Sequence, residues 1–130
     1  MEDHRLNRLY DYTKWHVAIY LSVGGALTAA VGYLAEASKA SQLAPYVTRP
    51  YLLLGAVVLM LLAGMCGGAV LSACTKCQTF AELWDKRKGP FGLGHVRNWA
   101  RAEHILFWLS IVSAAVAVLS TEPVLKWLRQ

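Results

Sequence analysis

The chain has 130 residues, of which 56% are hydrophobic and 16% are charged, and it carries a net charge of +5 at pH 7. Three uncharged stretches take up so much of this length that the remaining segments are too short to bury a soluble core of their own. The composition therefore predicts a single membrane domain, residues 1–130, with lipid-facing helices rather than a globular interior. Membrane topology explains the excess of basic residues, and no nucleic-acid motif accompanies it, so we expect no nucleic-acid partner.

The uncharged stretches predict an all-α integral membrane protein with three transmembrane helices. Val17 to Ala35, Pro50 to Thr75 and Ile105 to Thr121 contain no Asp, Glu, Lys or Arg. A helix rises about 1.5 Å per residue, so about 20 residues cross a hydrocarbon core of about 30 Å. With their interfacial ends included, the predicted spans are about 15–35, 50–75 and 101–121.

The connector between the second and third spans, residues 76–100, is predicted to be amphipathic and cytoplasmic. Its apolar residues Phe80, Leu83 and Trp84 can rest on the membrane surface. Nine of the 13 Lys and Arg residues lie in the N-terminal head or between residues 76 and 102. Because short segments rich in Lys and Arg stay on the cytoplasmic side, we expect a cytoplasmic N-terminus and an external C-terminus in a bacterial inner (plasma) membrane.

Small residues are concentrated in the first two spans. Gly64 and Gly68 form a G-x-x-x-G pattern, and Ser22, Ala26 and Ala30 repeat at intervals of four. Small residues let helix backbones approach closely, which is how helices associate in lipid. Three helices offer more small-residue faces than one bundle can use internally. We therefore expect these five residues to form the interface of a homo-oligomer or a contact with a partner membrane subunit.

The connector also contains a basic loop rich in glycine. Backbone N–H groups in such a turn can form an anion nest, and a predicted helix start follows it. The residues assigned to this site are Lys86, Arg87, Lys88, Gly92, Gly94, Arg97 and Arg101. We expect them to bind a phosphate-bearing ligand, a lipid headgroup or an acidic cytoplasmic protein. The spacing matches neither a P-loop nor a dinucleotide fingerprint, and a solvated turn is the alternative interpretation.

Two pairs of residues suggest metal or haem chemistry, and neither pair forms a complete site. His16 and His104 lie at the cytoplasmic ends of the first and third spans, where two imidazoles could ligate the iron of haem b. Each is equally explained as an interfacial histidine. Cys74 and Cys77 form a C-x-x-C, but zinc would need two further ligands from among the histidines. The sequence therefore predicts no metal and no cofactor.

The absence of paired carboxylates, of an activated nucleophile and of a full metal set predicts that the protein is not an enzyme. No charged residue lies near the middle of a span, which argues against a solitary coupled transporter. One open function is a small oligomer that forms or gates a pore or perturbs the bilayer, regulated through the basic loop. Phage holins and the small membrane effectors of bacterial defence systems share this general plan. The other is a non-catalytic anchor or assembly subunit of a larger complex, with haem b held between His16 and His104.

Overall fold

A computed structural model describes residues 4–37, 49–86, 89, 92–119, 125–126 and 128–130 of the chain. Three α-helices contain most of them: α1, His4–Ala37; α2, Pro50–Cys74; and α3, Val96–Leu119. Each helix is long and apolar enough to cross a membrane, and the described residues contain no strand. The all-α class with three helices of membrane-spanning length is therefore confirmed for this part of the chain.

Two of the helices begin earlier than the predicted spans. Helix α1 has 34 residues, so it is about 51 Å long and exceeds a hydrocarbon core of about 30 Å. Its additional N-terminal turns carry charges on one side and bury Leu6 on the other. Helix α3 likewise starts with the buried Val96. A hydropathy sum misses such turns because it counts charged residues without regard to the face on which they lie. Helix α2 starts at Pro50, whose fixed φ and missing N–H suit a first helical position.

Helix α2 is the central helix and packs against both α1 and α3. Two serine hydroxyls join it to α3. Ser110 donates a hydrogen bond of 2.7 Å to the carbonyl oxygen of Ala56, and Ser113 donates one of 2.9 Å to that of Leu52. Hydrogen bonds between helices hold membrane bundles together where lipid removes the hydrophobic drive for association. Ser110 and Ser113 of α3 therefore serve contacts between helices of the same chain.

The connector after α2 begins with a capped helical turn. The Thr79 hydroxyl accepts a hydrogen bond of 3.2 Å from the backbone N–H of Glu82, and the Glu82 carboxylate accepts one of 3.1 Å from the N–H of Gln78. This reciprocal arrangement resembles a capping box. It starts the short π-helix Glu82–Lys86.

Leu83 of this π-helix packs on the protein and not on the membrane surface. It is completely buried in an apolar cluster at one end of the bundle, together with Leu6, Val70 and Val96. Phe80 also packs against this cluster, so the sequence-based expectation of membrane contact is corrected for these two residues. The connector therefore covers the ends of the helices.

A second apolar cluster contains Met60 and Ala63 of α2, with Leu106 and Ile111 of α3 packed against it. Along every helix, polar or small residues separate this cluster from the one at the end of the bundle. In α1 they include His16, in α2 Gly67 and in α3 Glu103. The bundle is thus built of two apolar layers with a polar layer between them.

Candidate functional site

The polar layer contains a carboxylate that is shielded from solvent. Glu103 of α3 is 1% exposed, and Tyr20 of α1 is 3% exposed. Residues 13, 16 and 20 of α1 share a face because they are spaced by about one helical turn, and Thr13 among them is also buried. An ionised carboxylate in such surroundings is costly unless charged or hydrogen-bonding groups compensate it. Its immediate contacts therefore define the site.

Two groups of α1 approach the same oxygen of Glu103. The Tyr20 hydroxyl donates a hydrogen bond of 2.9 Å to Oε1. The His16 Nδ1 atom lies 3.4 Å from this oxygen, which is ion-pair distance if the imidazole is protonated. His16 Nδ1 is itself buried and makes no hydrogen bond. Within the described ranges, His16 is the basic side chain that reaches Glu103.

Gly67 lets α2 approach closely to α1 and to Glu103 of α3. A β-carbon at Gly67 would lie 2.7 Å from Cγ2 of Val17 and 3.4 Å from Cδ of Glu103. The first distance is shorter than a van der Waals contact allows, so only glycine fits without a shift of α1. The neighbouring Cys66 of α2 is also buried. All three helices therefore meet at the carboxylate.

His104, the residue after Glu103, belongs to the outer part of the cluster. Its Nδ1 lies 2.8 Å from the carbonyl oxygen of Ala100, and its Nε2 lies 3.2 Å from the Tyr12 hydroxyl. A carbonyl oxygen can only accept, so Nδ1 carries a proton, and in the neutral ring Nε2 accepts from Tyr12. Tyr12 is 50% exposed. The cluster thus runs from a solvent-accessible hydroxyl to a buried carboxylate.

The structure brings together the two histidines that the sequence singled out. The ring centroids of His16 and His104 are 5.3 Å apart and meet edge to face. Axial ligands of haem lie on opposite faces of a porphyrin, and rings in direct contact leave no space for one. Both nitrogens of His104 also have partners within the chain. Haem binding between these rings would require α1 and α3 to move apart.

The five residues predicted at an oligomer interface lie on the outside of the bundle or have open space beside them. Ser22, Ala26 and Ala30 are exposed along α1. On α2, a β-carbon at Gly64 or Gly68 would meet no atom within 4 Å. These small residues are therefore not used in packing the helices of one chain. Gly67 and Gly24 do serve packing between helices, the latter against Met60.

The predicted anion site is only partly described. Arg87 and Lys88, and the side chain of Lys86, lie outside the described residues. Arg97 and Arg101 are exposed and one turn apart on α3. Gly92 and Gly94 adopt positive φ angles of 73° and 62°, as the predicted turn requires.

The turn uses its own backbone groups internally. The N–H of Gly89 donates to the carbonyl of Gly94 at 2.8 Å, and that of Gly92 donates to the carbonyl of Gly89 at 3.1 Å. The Trp99 indole donates to the carbonyl of Leu93 at 2.8 Å. The amides of Gly89 and Gly92 are therefore occupied, and anion binding would depend on the basic side chains.

The cysteines do not form a metal centre with other side chains in the described part of the chain. Cys66, Cys74 and Cys77 form no disulfide bond, and Cys74 is buried in the apolar cluster at the end of the bundle. No group of three or more His, Cys, Asp or Glu with metal-binding geometry occurs among the described residues. The C-x-x-C lies where α2 ends, and its Cys77 N–H donates to the carbonyl of Cys74.

Sequence reasoning missed Glu103, Tyr20 and Tyr12. In the sequence, Glu103 lies just before the third apolar stretch, where a residue at the membrane surface is expected, and the two tyrosines belong to none of the predicted sites. The signal was present in the spacing. Tyr12, His16 and Tyr20 recur at intervals of four in one helix, so they share a face. A polar residue on a face that otherwise packs against apolar neighbours is a candidate for a buried interaction.

Comparisons of the chain with protein-family models, curated proteins and solved structures found no match.

Proposed function

We propose that this chain is an integral membrane protein that acts as a homo-oligomer, and that the oligomer forms or gates a pore or perturbs the bilayer. The observation that supports it best is the division of the small residues into two groups. Gly24 and Gly67 are used between helices of one chain, whereas Gly64 and Gly68 have open space around them. In lipid, small residues on a helix surface favour close approach of another helix.

A second copy of the chain is the proposed occupant of this surface. The exposed face carries Gly64 and Gly68 together with large apolar side chains such as Leu61 and Met65. A G-x-x-x-G face associates well with an identical face, because each backbone fills the space that the other leaves. The exposed Ser22, Ala26 and Ala30 of α1 provide a second contact surface. Two surfaces on different helices allow an assembly larger than a dimer.

The proposed function implies a location relative to the membrane for each part of the chain. The three helices cross a bacterial inner membrane, with the N-terminus and the connector in the cytoplasm and the C-terminus outside, as the distribution of Lys and Arg favours. The lipid bilayer is then the main partner, and the protein has no catalytic role and needs no bound cofactor. Conduction would follow a path lined by small and hydroxyl side chains between copies.

Replacing both Gly64 and Gly68 with Leu tests this function. We expect the double variant to lose the oligomer and to stop ion leakage through liposomes, because two large side chains keep the α2 helices apart. The mass of the detergent-purified protein is measured by light scattering, and dye or ion flux is measured on reconstituted protein. The matched control replaces Gly32 of α1 with Leu, because Gly32 is equally open and does not share the face of Ser22, Ala26 and Ala30.

The control variant should keep the wild-type mass and flux. An unchanged mass in the Gly64 and Gly68 variant would show that this face is not the interface. A wild-type protein that is monomeric, coloured by haem or bound to another membrane subunit would favour the anchor-subunit function instead. An intact oligomer without flux would contradict the pore while keeping the assembly.

We further propose that the basic loop regulates the oligomer through an acidic cytoplasmic protein or a phosphate-bearing ligand. Arg97 and Arg101 present two exposed guanidinium groups on one side of α3. Replacing Lys86, Arg87, Lys88 and Arg97 with Gln is expected to remove regulation and leave the oligomer and its basal flux unchanged. Flux with and without phosphate or anionic lipid reports the regulation. Loss of membrane insertion or reversal of topology would instead assign these charges to orientation.

A further inference from the structure

We propose that Glu103 and His16 form a proton-binding site inside the helix bundle. Glu103 is 1% exposed, and the His16 Nδ1 atom faces its Oε1 at 3.4 Å without a hydrogen bond. This separation is slightly longer than a hydrogen bond, and it joins a carboxylate to an imidazole that has an available nitrogen. The ligand is a proton taken from water, and the site does not depend on the oligomer proposed above.

The net charge of the Glu103 and His16 pair determines how many protons the pair holds. With one proton the pair is neutral overall, either as carboxylate and imidazolium or as carboxylic acid and imidazole. Loss of this proton leaves a charge of −1, and a second proton leaves +1. A net charge between two apolar layers is costly, so these surroundings favour the state with one proton. Tyr20 stabilises the carboxylate form, because its hydroxyl donates to Oε1 at 2.9 Å.

Ring contacts connect this pair to more exposed polar groups. Tyr12 is 50% exposed and its ring centroid is 3.9 Å from that of His16. Its hydroxyl lies 3.2 Å from Nε2 of His104. His104 borders a shallow groove of about 380 Å³ that it shares with Trp84 and Arg101. The exposed side of the pair is therefore the side that faces Tyr12 and His104.

Every helix contributes titratable groups around the carboxylate. Helix α1 contributes Tyr12, His16 and Tyr20, and α3 contributes His104. Helix α2 contributes the buried thiol of Cys66, next to Gly67. Lys14 and Arg101 are exposed on the outside of α1 and α3. Because α1 and α3 contact each other through these side chains, a change in protonation alters the contact between the two helices.

Infrared difference spectroscopy on the purified full chain tests the site. Spectra are compared between about pH 4 and about pH 9, a range that brackets the ordinary pKa values of Glu and His. We expect a carbonyl band of a buried protonated carboxyl group in the wild-type protein and its loss in Glu103→Gln. Glutamine keeps the size of the side chain and can accept the Tyr20 hydrogen bond. Glu36→Gln, at an exposed position near the end of α1, is the matched control and should keep the band.

A second variant tests the pairing without removing the carboxylate. His16→Gln removes the basic partner of the carboxyl group and leaves the size of the side chain nearly unchanged. The pH at which the carboxyl band appears should therefore differ between His16→Gln and the wild-type protein. The same band in Glu103→Gln as in the wild-type protein would overturn the site. An unchanged pH for the band in His16→Gln would overturn the pairing, and it does so even if Glu103→Gln fails to fold.

Discussion

Replacing Gly67 with Ala is expected to lower the free energy of unfolding by about 1–3 kcal/mol, the usual cost of an added methyl group in a filled contact. The new β-carbon would lie 2.7 Å from Cγ2 of Val17 and 3.4 Å from Cδ of Glu103. Val17 is β-branched and has little freedom to change its rotamer in a helix. Helix α1 must therefore move away from α2, and this movement also lengthens the contacts of α1 with Glu103.

Gly68→Ala is the control for this prediction. A β-carbon at Gly68 meets no atom within 4 Å. Alanine in place of glycine in a helix favours the folded state by up to about 1 kcal/mol, and this gain is the same at both positions. The Gly68 variant should thus be as stable as the wild-type protein or more stable. Alanine also preserves the small-residue pattern, so the proposed oligomer is retained.

The difference between the two variants is measured by reversible unfolding in mixed micelles, followed by circular dichroism. Because both substitutions add one methyl group to α2, helix propensity cancels and the difference reports the contact with α1. Equal stability of the Gly67 and Gly68 variants would mean that α1 does not approach α2 at Gly67. The polar layer would then be assembled differently from the structure described above.

The helices were predictable because their signal is local. The stretch Pro50 to Thr75 contains no charged residue, and its length alone indicates a helix that crosses a membrane. The extension of α1 to His4 was not predictable in this way. Its first turns contain charged residues, and their helical structure depends on packing of Leu6 against Val70 and Leu83. This contact joins residues that are far apart in sequence.

The polar layer depends even more on tertiary contacts. The sequence pairs His16 and His104 at the same end of two spans, but the direct contact of their rings follows from the arrangement of α1 and α3 around α2. Glu103 looks like a surface residue in the sequence because it follows Arg101 and precedes an apolar stretch. Its enclosure is seen only when α2, with Gly67 beside the carboxylate, is packed against α1 and α3. A sequence contains the spacing of these residues within each helix, but not the rotation of one helix against another.

Replacing Tyr20 with Phe is expected to lower the free energy of unfolding by about 1.5–3 kcal/mol, the usual contribution of a buried hydrogen bond to a charged group. The change removes one hydroxyl, whose hydrogen bond to Glu103 Oε1 is 2.9 Å long. Among the described residues, His16 then remains as the group that compensates the carboxylate. Tyr33→Phe is the control, because Tyr33 is 56% exposed on the same helix, and it should change stability by less than about 0.5 kcal/mol.

A double-mutant cycle with Glu103→Leu separates the hydrogen bond from the loss of the tyrosine itself. Removing both polar partners leaves no unsatisfied group between them, so the double variant should be more stable than the sum of the two single changes predicts. We expect a coupling free energy of about 1–3 kcal/mol. Additive effects would show that Tyr20 and Glu103 do not interact in the folded protein. In that case His16 would be the main group that compensates the carboxylate, and the removal of His16 would be the more damaging change.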